Sequence, residues 1–518
     1  MISIFLSRVL GLIRDRIVAH QFGQSFDTDT FNAAITIPDI IQYLIAGGAL
    51  SSSFIPVFTD YMTAGKKREA WRLFSIVATM TMLVVGGLVV LAEIFTPFLV
   101  QITNKGFPAD KIAATVPLAM ILLPAQVFFF LGGLMGGALQ VKGNFVGPAL
   151  GSVIYNIGII FGGLFLYHYF GIAALCWGAL LGAFLGNVVL QWYLVRKEGG
   201  IYDPFALRKY WGHPGAKEVW RNMLPILLGF SLPQVSILVN KYFASFLLSG
   251  EQSALMNANR LMQVPLGVFA QAIGIAILPK LALHSSKNDR AAVRREANNG
   301  LRFTYFLTFP ASLLMIVLAL PIVQMLLQSG KFKAADSNIV AQGLIYYSIG
   351  IFAWSLHSVS ARIFYAVKDT KTPIIVGTII TVFVFIPLNA ILMKSMGYRG
   401  LALATTLAAI LNMAVTIYLL RFRLRGLEGG RLLRSLTKIT IASFIMAGGC
   451  WLARNLLQNL VQNLFPTRLN QSPLVSSAIV ITGSLTFSIA LFGLLALAFR
   501  MEEMSFLRPI IRKFAKRK

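Results

Sequence analysis

Residues 1–22, MISIFLSRVLGLIRDRIVAHQF, form an apolar run long enough to cross a bilayer, with Arg8, Arg14, Asp15 and Arg16 set inside it. Each Arg or Asp at the centre of a spanning helix costs about 2.5–3.5 kcal/mol on insertion scales, so a group of such charges must face something polar. A cationic, water-filled cavity is the simplest surrounding that accommodates them. At about 100° per residue, Arg8 and Arg14 lie about 120° apart with Gly11 between them, so one broad face combines two cations and a missing side chain. Asp15 falls near Arg8 in angle, about two turns along, where it can orient Arg14 or Arg8. Arg16 points elsewhere and reads as a snorkelling cation. The arginines interrupt the apolar run, so the segment is expected to be a retained first helix rather than a cleaved leader.

The rest of the chain has the same character. Of its 518 residues, 57% are hydrophobic and 13% charged, and the mean hydropathy is +0.73. A soluble core of this size could not hide that much apolar surface. Cys176 and Cys450, the only cysteines, both lie in apolar runs and offer neither a disulfide framework nor a thiolate metal site.

Apolar runs of about 20 residues number about fourteen. They fall near 2–22, 30–58, 73–100, 113–141, 146–168, 171–195, 222–249, 255–283, 302–328, 338–366, 373–393, 398–420, 435–457 and 474–499. Loops after even-numbered spans, with the tail, hold about 32 of the 46 basic residues, which places both termini in the cytoplasm. The net charge of +27 is therefore a topology feature and a contact with anionic membrane lipids. Nucleic acid is excluded as a partner, because no soluble basic domain exists to bind it.

The polar stretch near the middle of the first twelve spans suggests a duplication, and several landmarks repeat at one offset. Pro38 in AAITIPDII matches Pro265 in NRLMQVPLG, 227 residues on. Lys142 and Pro148 match Lys368 and Pro373, and Asn187 and Tyr193 match Asn412 and Tyr418, at offsets of 225 or 226. The expected fold is an all-α polytopic membrane protein of two parallel six-helix repeats plus two C-terminal helices, with a substrate site between the repeats. The corresponding divisions are a first lobe (1–198), a cytoplasmic linker (199–221), a second lobe (222–425), helices thirteen and fourteen (426–500) and a basic tail (501–518).

Further charges lie within or beside the spans. Arg260 opens helix eight, Lys241 lies inside helix seven, and Asp29 and Asp39 flank the start of helix two. A snorkelling terminus or an internal ion pair is the competing explanation for each, most strongly for Lys241 and Asp39. Arginine forks suit phosphate oxygens, so buried cations between two repeats imply an anionic, phosphorylated cargo. Pro38, Gly47, Gly48 and Pro265 are candidate hinges, with simple packing kinks as the alternative. Small-xxx-small ridges at Gly132/Gly136, Gly158/Gly162 and Gly178/Gly182/Gly186 read as helix-packing surfaces. The five histidines show no metal-ligand spacing, Glu93 is isolated in its span, and no GxxxxGK[ST] loop occurs. A transporter without a cofactor is expected, not an enzyme.

Several motifs resemble one family. SRVLGLIRDRIVAHQFG from Ser7, TDTFNAAITIPDII from Thr28, GALSSSFIPVFTDY from Gly48, NRLMQVPLGV from Asn259 and ILPKLA from Ile277 are similar to the MurJ (MviN) peptidoglycan lipid II flippases of the multidrug/oligosaccharidyl-lipid/polysaccharide exporter superfamily. The resemblance runs over essentially the whole chain. It implies a bacterial inner-membrane protein that exports lipid II, the undecaprenyl-diphosphate-linked wall precursor, by alternating access. It also implies cavity roles for Arg8, Arg14, Asp29 and Arg260, and a groove for the lipid tail on helices thirteen and fourteen.

The chain departs from the better-known pattern at three positions. Gln42 stands where many members have Arg, Gly47 where they have an acid, and Gln263 where an acid follows RLM. Lys241 is then a candidate replacement for the cation lost at position 42. Helices seven, eleven and twelve hold no buried Asp or Glu, so a sodium site seen in some relatives does not carry over. The membrane potential or a monovalent ion is the expected drive, and a monomer the expected state. The alternative is a related exporter of another lipid-linked oligosaccharide or of a drug. An exporter of cationic drugs would place acids, not arginines, in its cavity.

Overall fold

The computed structural model describes residues 2–45, 49–210, 212–464 and 473–505, and every regular element among them is helical. Gly47 and Gly48, two of the candidate hinges, lie outside the described residues. Among the described residues, ten helices are long and apolar enough to cross a membrane, or eleven if Ala334–Ser348 and Ile351–Ala366, bent by 44°, form one span.

The expected first, second and seventh spans account for the difference from fourteen. The first, α1 (Ile2–Phe22), carries four charges. The second begins with α2 (Phe26–Ala34), which a turn at Ile35 separates from α3 (Thr36–Ile45); α4 (Ala49–Thr63) follows residues 46–48, which lie outside the described residues. The seventh, Pro214–Ala244, is one 31-residue helix, and the side chains of 224–234 lie outside the described residues.

Local chemistry explains the breaks. Gly23 takes φ +66° just after α1, a conformation that costs glycine little. Ser25 caps α2 reciprocally: Thr28 N donates to its Oγ and its own N donates to Thr28 Oγ1. Pro38 lies in the first turn of α3, where its missing N–H leaves no intrahelical bond unmade. Pro265 ends the helix Glu251–Pro265 and a π-helical turn, Leu266–Ala270, follows it. Both prolines therefore mark breaks in the helical ladder.

The chain divides into two compact units, Met1–Ser253 with Gly330–Phe332, and Ala254–Ser329 with Lys333–Lys518. In the first unit the helix Pro214–Ala244 packs on α3, α4 and α5 (Lys67–Thr103). The packing boundary falls after Ser253, beyond the end of the linker expected at 199–221.

Backbone geometry repeats along with the sequence. Positive φ recurs at Gly23 and Gly250 (227 apart), Gly65 and Asn288 (223), Gly143 and Lys368 (225), Gly171 and Gly397 (226), and Gly199 and Arg425 (226). Gly171 and Gly397 share ψ as well, −133° and −134°. Corresponding interhelical turns of the two halves therefore close in the same way, as a duplication requires.

The small-residue ridges act as packing surfaces. A Cβ on Gly178 would lie 2.3 Å from Gly158 O, and one on Gly158 would lie 2.4 Å from Gly178 O. The backbones of Val146–Phe161 and Ala173–Ala183 thus touch directly.

In the second unit, Gly429–Leu464 and Pro473–Ala498 pack on each other, and the first also packs on Arg290–Val317. Arg302 donates to Glu503 through Nε (2.7 Å) and to Glu502 through Nη1 (3.0 Å), and Ser435 Oγ donates to Glu503 at 2.6 Å. The hydrogen bond from Arg431 holds the Glu502 carboxyl below its ordinary range, and Arg302 adds to the effect. At a separate point Arg454 Nη1 donates to Val317 O (2.9 Å), at the C-terminus of Arg290–Val317.

Gly178→Val is expected to destabilise the folded protein by about 3 kcal/mol through backbone overlap. Gly87→Val, with no atom within 4 Å of the added Cβ, should be nearly neutral. Melting temperatures of the two purified variants in detergent check this.

Candidate functional site

The polar face of α1 is organised around Arg14. Its Nε and Nη2 both donate to Asp15 Oδ1, at 3.1 and 2.8 Å. Its Nη1 donates to Asn156 Oδ1 at 3.1 Å, on α8 (Val146–Phe161), which packs along α1. The Arg14 side chain is 22% exposed and that of Asp15 10%. Of the two roles open to Asp15, orienting Arg14 is the one seen here. Arg8 is exposed on the same helix.

Asp29 has a different setting. It is fully buried, and each carboxylate oxygen accepts two hydrogen bonds. Oδ1 takes Ser253 N (2.9 Å) and Ser253 Oγ (2.5 Å); Oδ2 takes Lys111 Nζ (2.8 Å) and Gly250 N (2.7 Å). Those four donors fill the four lone-pair positions of a carboxylate. Asp29 also lies at the N-terminus of Glu251–Pro265, where the free N–H groups and the dipole favour an anion. Lys111, itself buried, stands 4.3 Å from the Phe107 ring centroid. In this conformation Asp29 joins α2 to α6 (Ala109–Leu122) and to the start of Glu251–Pro265, with no face left for cargo.

Lys241 pairs with Asp39 at 3.0 Å, their side chains 15% and 25% exposed. The internal ion pair considered for these two residues therefore exists. Asp39 lies three residues before Gln42 on α3, so the ammonium is held about one turn from the exposed Gln42. In the second unit Arg260 is half-buried on Glu251–Pro265, and the exposed Gln263 donates through Nε2 to Asn259 Oδ1 at 2.7 Å.

Sequence reasoning missed Asn156, Lys111 and Ser253. Asn156 did leave a trace, as a lone amide in GSVIYNIGIIFGG (151–163). Lys111 reads locally as an ordinary loop-side cation. Among the described residues no group of His, Cys, Asp and Glu could hold a metal ion. Both cysteines are buried and free.

Comparison with known proteins places this geometry. The family model described as "Lipid II flippase MurJ" matches residues 18–470. The chain is 33% identical over 455 residues to the "Probable lipid II flippase MurJ" of Vibrio cholerae serotype O1, covering 86% of this chain and 85% of that protein. It is 29% identical over 510 residues to the "Lipid II flippase MurJ" of Burkholderia cenocepacia, covering 95% and 94%. A solved structure titled "Lipid II flippase MurJ, inward closed conformation" superposes with a TM-score of 0.76 at 26% identity, over 98% of this chain and 99% of that one. An inward-facing multidrug resistance MATE family transporter of the MOP superfamily shares the fold at 13% identity, with a TM-score of 0.66 over 81% of this chain and 94% of that one. With the family model spanning most of its length and a relative one-third identical, the chain belongs to the lipid II flippase MurJ family.

Proposed function

We propose that this chain moves lipid II, an undecaprenyl-diphosphate-linked disaccharide peptide, from the cytoplasmic to the outer leaflet of the bacterial inner membrane by alternating access. The observation that carries the reading is Arg14: a guanidinium inside an apolar helix, held by Asp15 and Asn156 yet partly exposed. An orientation enforced by neighbours suits recognition of a planar fork of phosphate oxygens. Arg8 on the same helix and Arg260 in the second unit supply further positive charge for the diphosphate. The exposed Gln42 with Lys241 one turn away supplies polar contacts.

The cycle needs no catalytic group and no cofactor. Carrying negative charge outward from a negative interior gains up to about 2.3 kcal/mol per charge per 100 mV, so the membrane potential is a sufficient drive. The cargo shifts the conformational equilibrium only through differential affinity, so the arginines must sit differently in the two states. The breaks at Pro38 and Pro265 offer places for that change. Both termini are cytoplasmic on this reading, with exposed Arg421, Arg423 and Arg425 against anionic headgroups. Phe444, Trp451, Phe487 and Ile489, exposed on the two C-terminal helices, give an apolar surface for the lipid tail.

Leaflet-resolved lipid II labelling tests the reading in cells depleted of their own flippase. The wild-type chain should restore outer-leaflet precursor, and Arg14→Ala with Arg260→Ala should reduce it at least about ten-fold at equal expression, since a charge-assisted contact is worth about 1.5–3 kcal/mol. Failure of an expressed, inserted wild type would point to another lipid-linked cargo.

A double-mutant comparison separates the two roles of Lys241. If its charge faces cargo, Lys241→Met impairs flipping and adding Asp39→Asn does not restore it. If Lys241 only neutralises Asp39, the double variant recovers activity in the same assay.

A further inference from the structure

Asn156 is a buried amide, 7% exposed, in an otherwise apolar stretch of α8. Its Nδ2 donates to Ser152 O (2.9 Å) and reaches Ser7 Oγ on α1 (3.5 Å). Its Oδ1 faces Arg14 Nη1. The network fixes this orientation, because the flipped amide would set an NH2 group against a guanidinium that only donates.

The donor inventory of Arg14 then becomes specific. A guanidinium has five N–H groups. Asp15 takes the one on Nε and one on Nη2, and Asn156 takes one on Nη1. One N–H remains on each terminal nitrogen, and the side chain is not sealed from solvent. Those two N–H groups can donate to phosphate oxygens.

The charge of the third partner matters as much as its geometry. Arg14 and Asp15 already cancel. A neutral acceptor at 156 keeps that pair at zero net charge, whereas a second carboxylate would make it negative and repel a diphosphate. An asparagine satisfies the guanidinium without that repulsion.

We infer that Asn156 is a positioning residue for cargo recognition: it orients Arg14 toward the lipid-linked diphosphate while keeping the Arg14–Asp15 group electrically neutral. The inference rests on the proposed role of Arg14 as a diphosphate ligand. Aspartate at 156 preserves the acceptor for Arg14 but loses the Nδ2 donation to Ser152 O, so a purely structural Asn156, tying α8 to α1, would show its replacement as a loss of stability and not as a flipping defect that low pH reverses.

The test uses the full-length protein in proteoliposomes with fluorescent lipid II, comparing wild type, Arg14→Ala, Asn156→Asp and Asn156→Ala. Asn156→Asp should lower flipping at alkaline pH by about ten-fold or more, measured at a temperature where the variant stays folded. It should recover as pH falls, because the protonated carboxyl mimics the neutral amide, and wild type should not show that pH profile. Asn156→Ala, which adds no charge, should raise the lipid II level needed for half-maximal flipping. It carries the test if the aspartate variant does not fold, and wild-type behaviour of the alanine variant would then overturn the inference. Wild-type activity that is lost in Arg14→Ala but kept in Asn156→Asp at every pH overturns the role of Asn156 alone. An Arg14→Ala variant as active as wild type overturns the cargo role of Arg14, and this inference with it.

Discussion

A guanidinium in an apolar helix has to keep its charge out of hydrocarbon, and the first helix of this protein is organised by that requirement. The cost of an arginine near mid-membrane, about 2.5–3.5 kcal/mol on insertion scales, is avoided only where polar partners or water replace lipid. Here Asp15, one residue away, and Asn156, on α8, supply the partners. The close packing of α8 against α1 and against Ala173–Ala183 sets where Asn156 can stand. That packing depends on glycines whose missing side chains let the backbones touch. A guanidinium is thus positioned by features with no polarity of their own.

The other buried charges show how similar residues take different roles. Asp29 and Asp15 are both acids near the start of the chain. Asp29 has all four lone-pair positions filled and holds helix ends together, whereas Asp15 aligns a partly exposed arginine. In the second unit Arg302 and Glu503 are both buried and paired, fixing the segment after the last helix to Arg290–Val317. Removing one partner of such a pair would leave the other charge buried alone, the costly outcome for an ion pair away from water.

The duplication is visible at two levels. Prolines, lysines and asparagines repeat at offsets of 225–227 residues, and positive backbone angles repeat at 223–227. Glycine occupies both members of only two of the five pairs, while Asn288, Lys368 and Arg425 adopt the same region at some cost. The turn geometry has outlasted the residue type that makes it easiest to adopt.

The sequence alone determined the membrane class, the order of the apolar runs, the repeat and the cationic character of the first helix. All of these rest on local composition or on a fixed spacing, which a chain carries whatever its fold. It also identified Arg14 with Asp15 as a candidate pair, because adjacent residues need no tertiary structure to meet. Only the tertiary structure decided the partners of Asp29, 82 and 224 residues away, of Arg14 at Asn156, 142 residues away, and of Lys241 at Asp39, 202 residues away. A hydrogen bond across such distances leaves no periodicity in the chain. Its formation depends on which helix faces pack together, and apolar helices of similar composition do not reveal that choice one at a time.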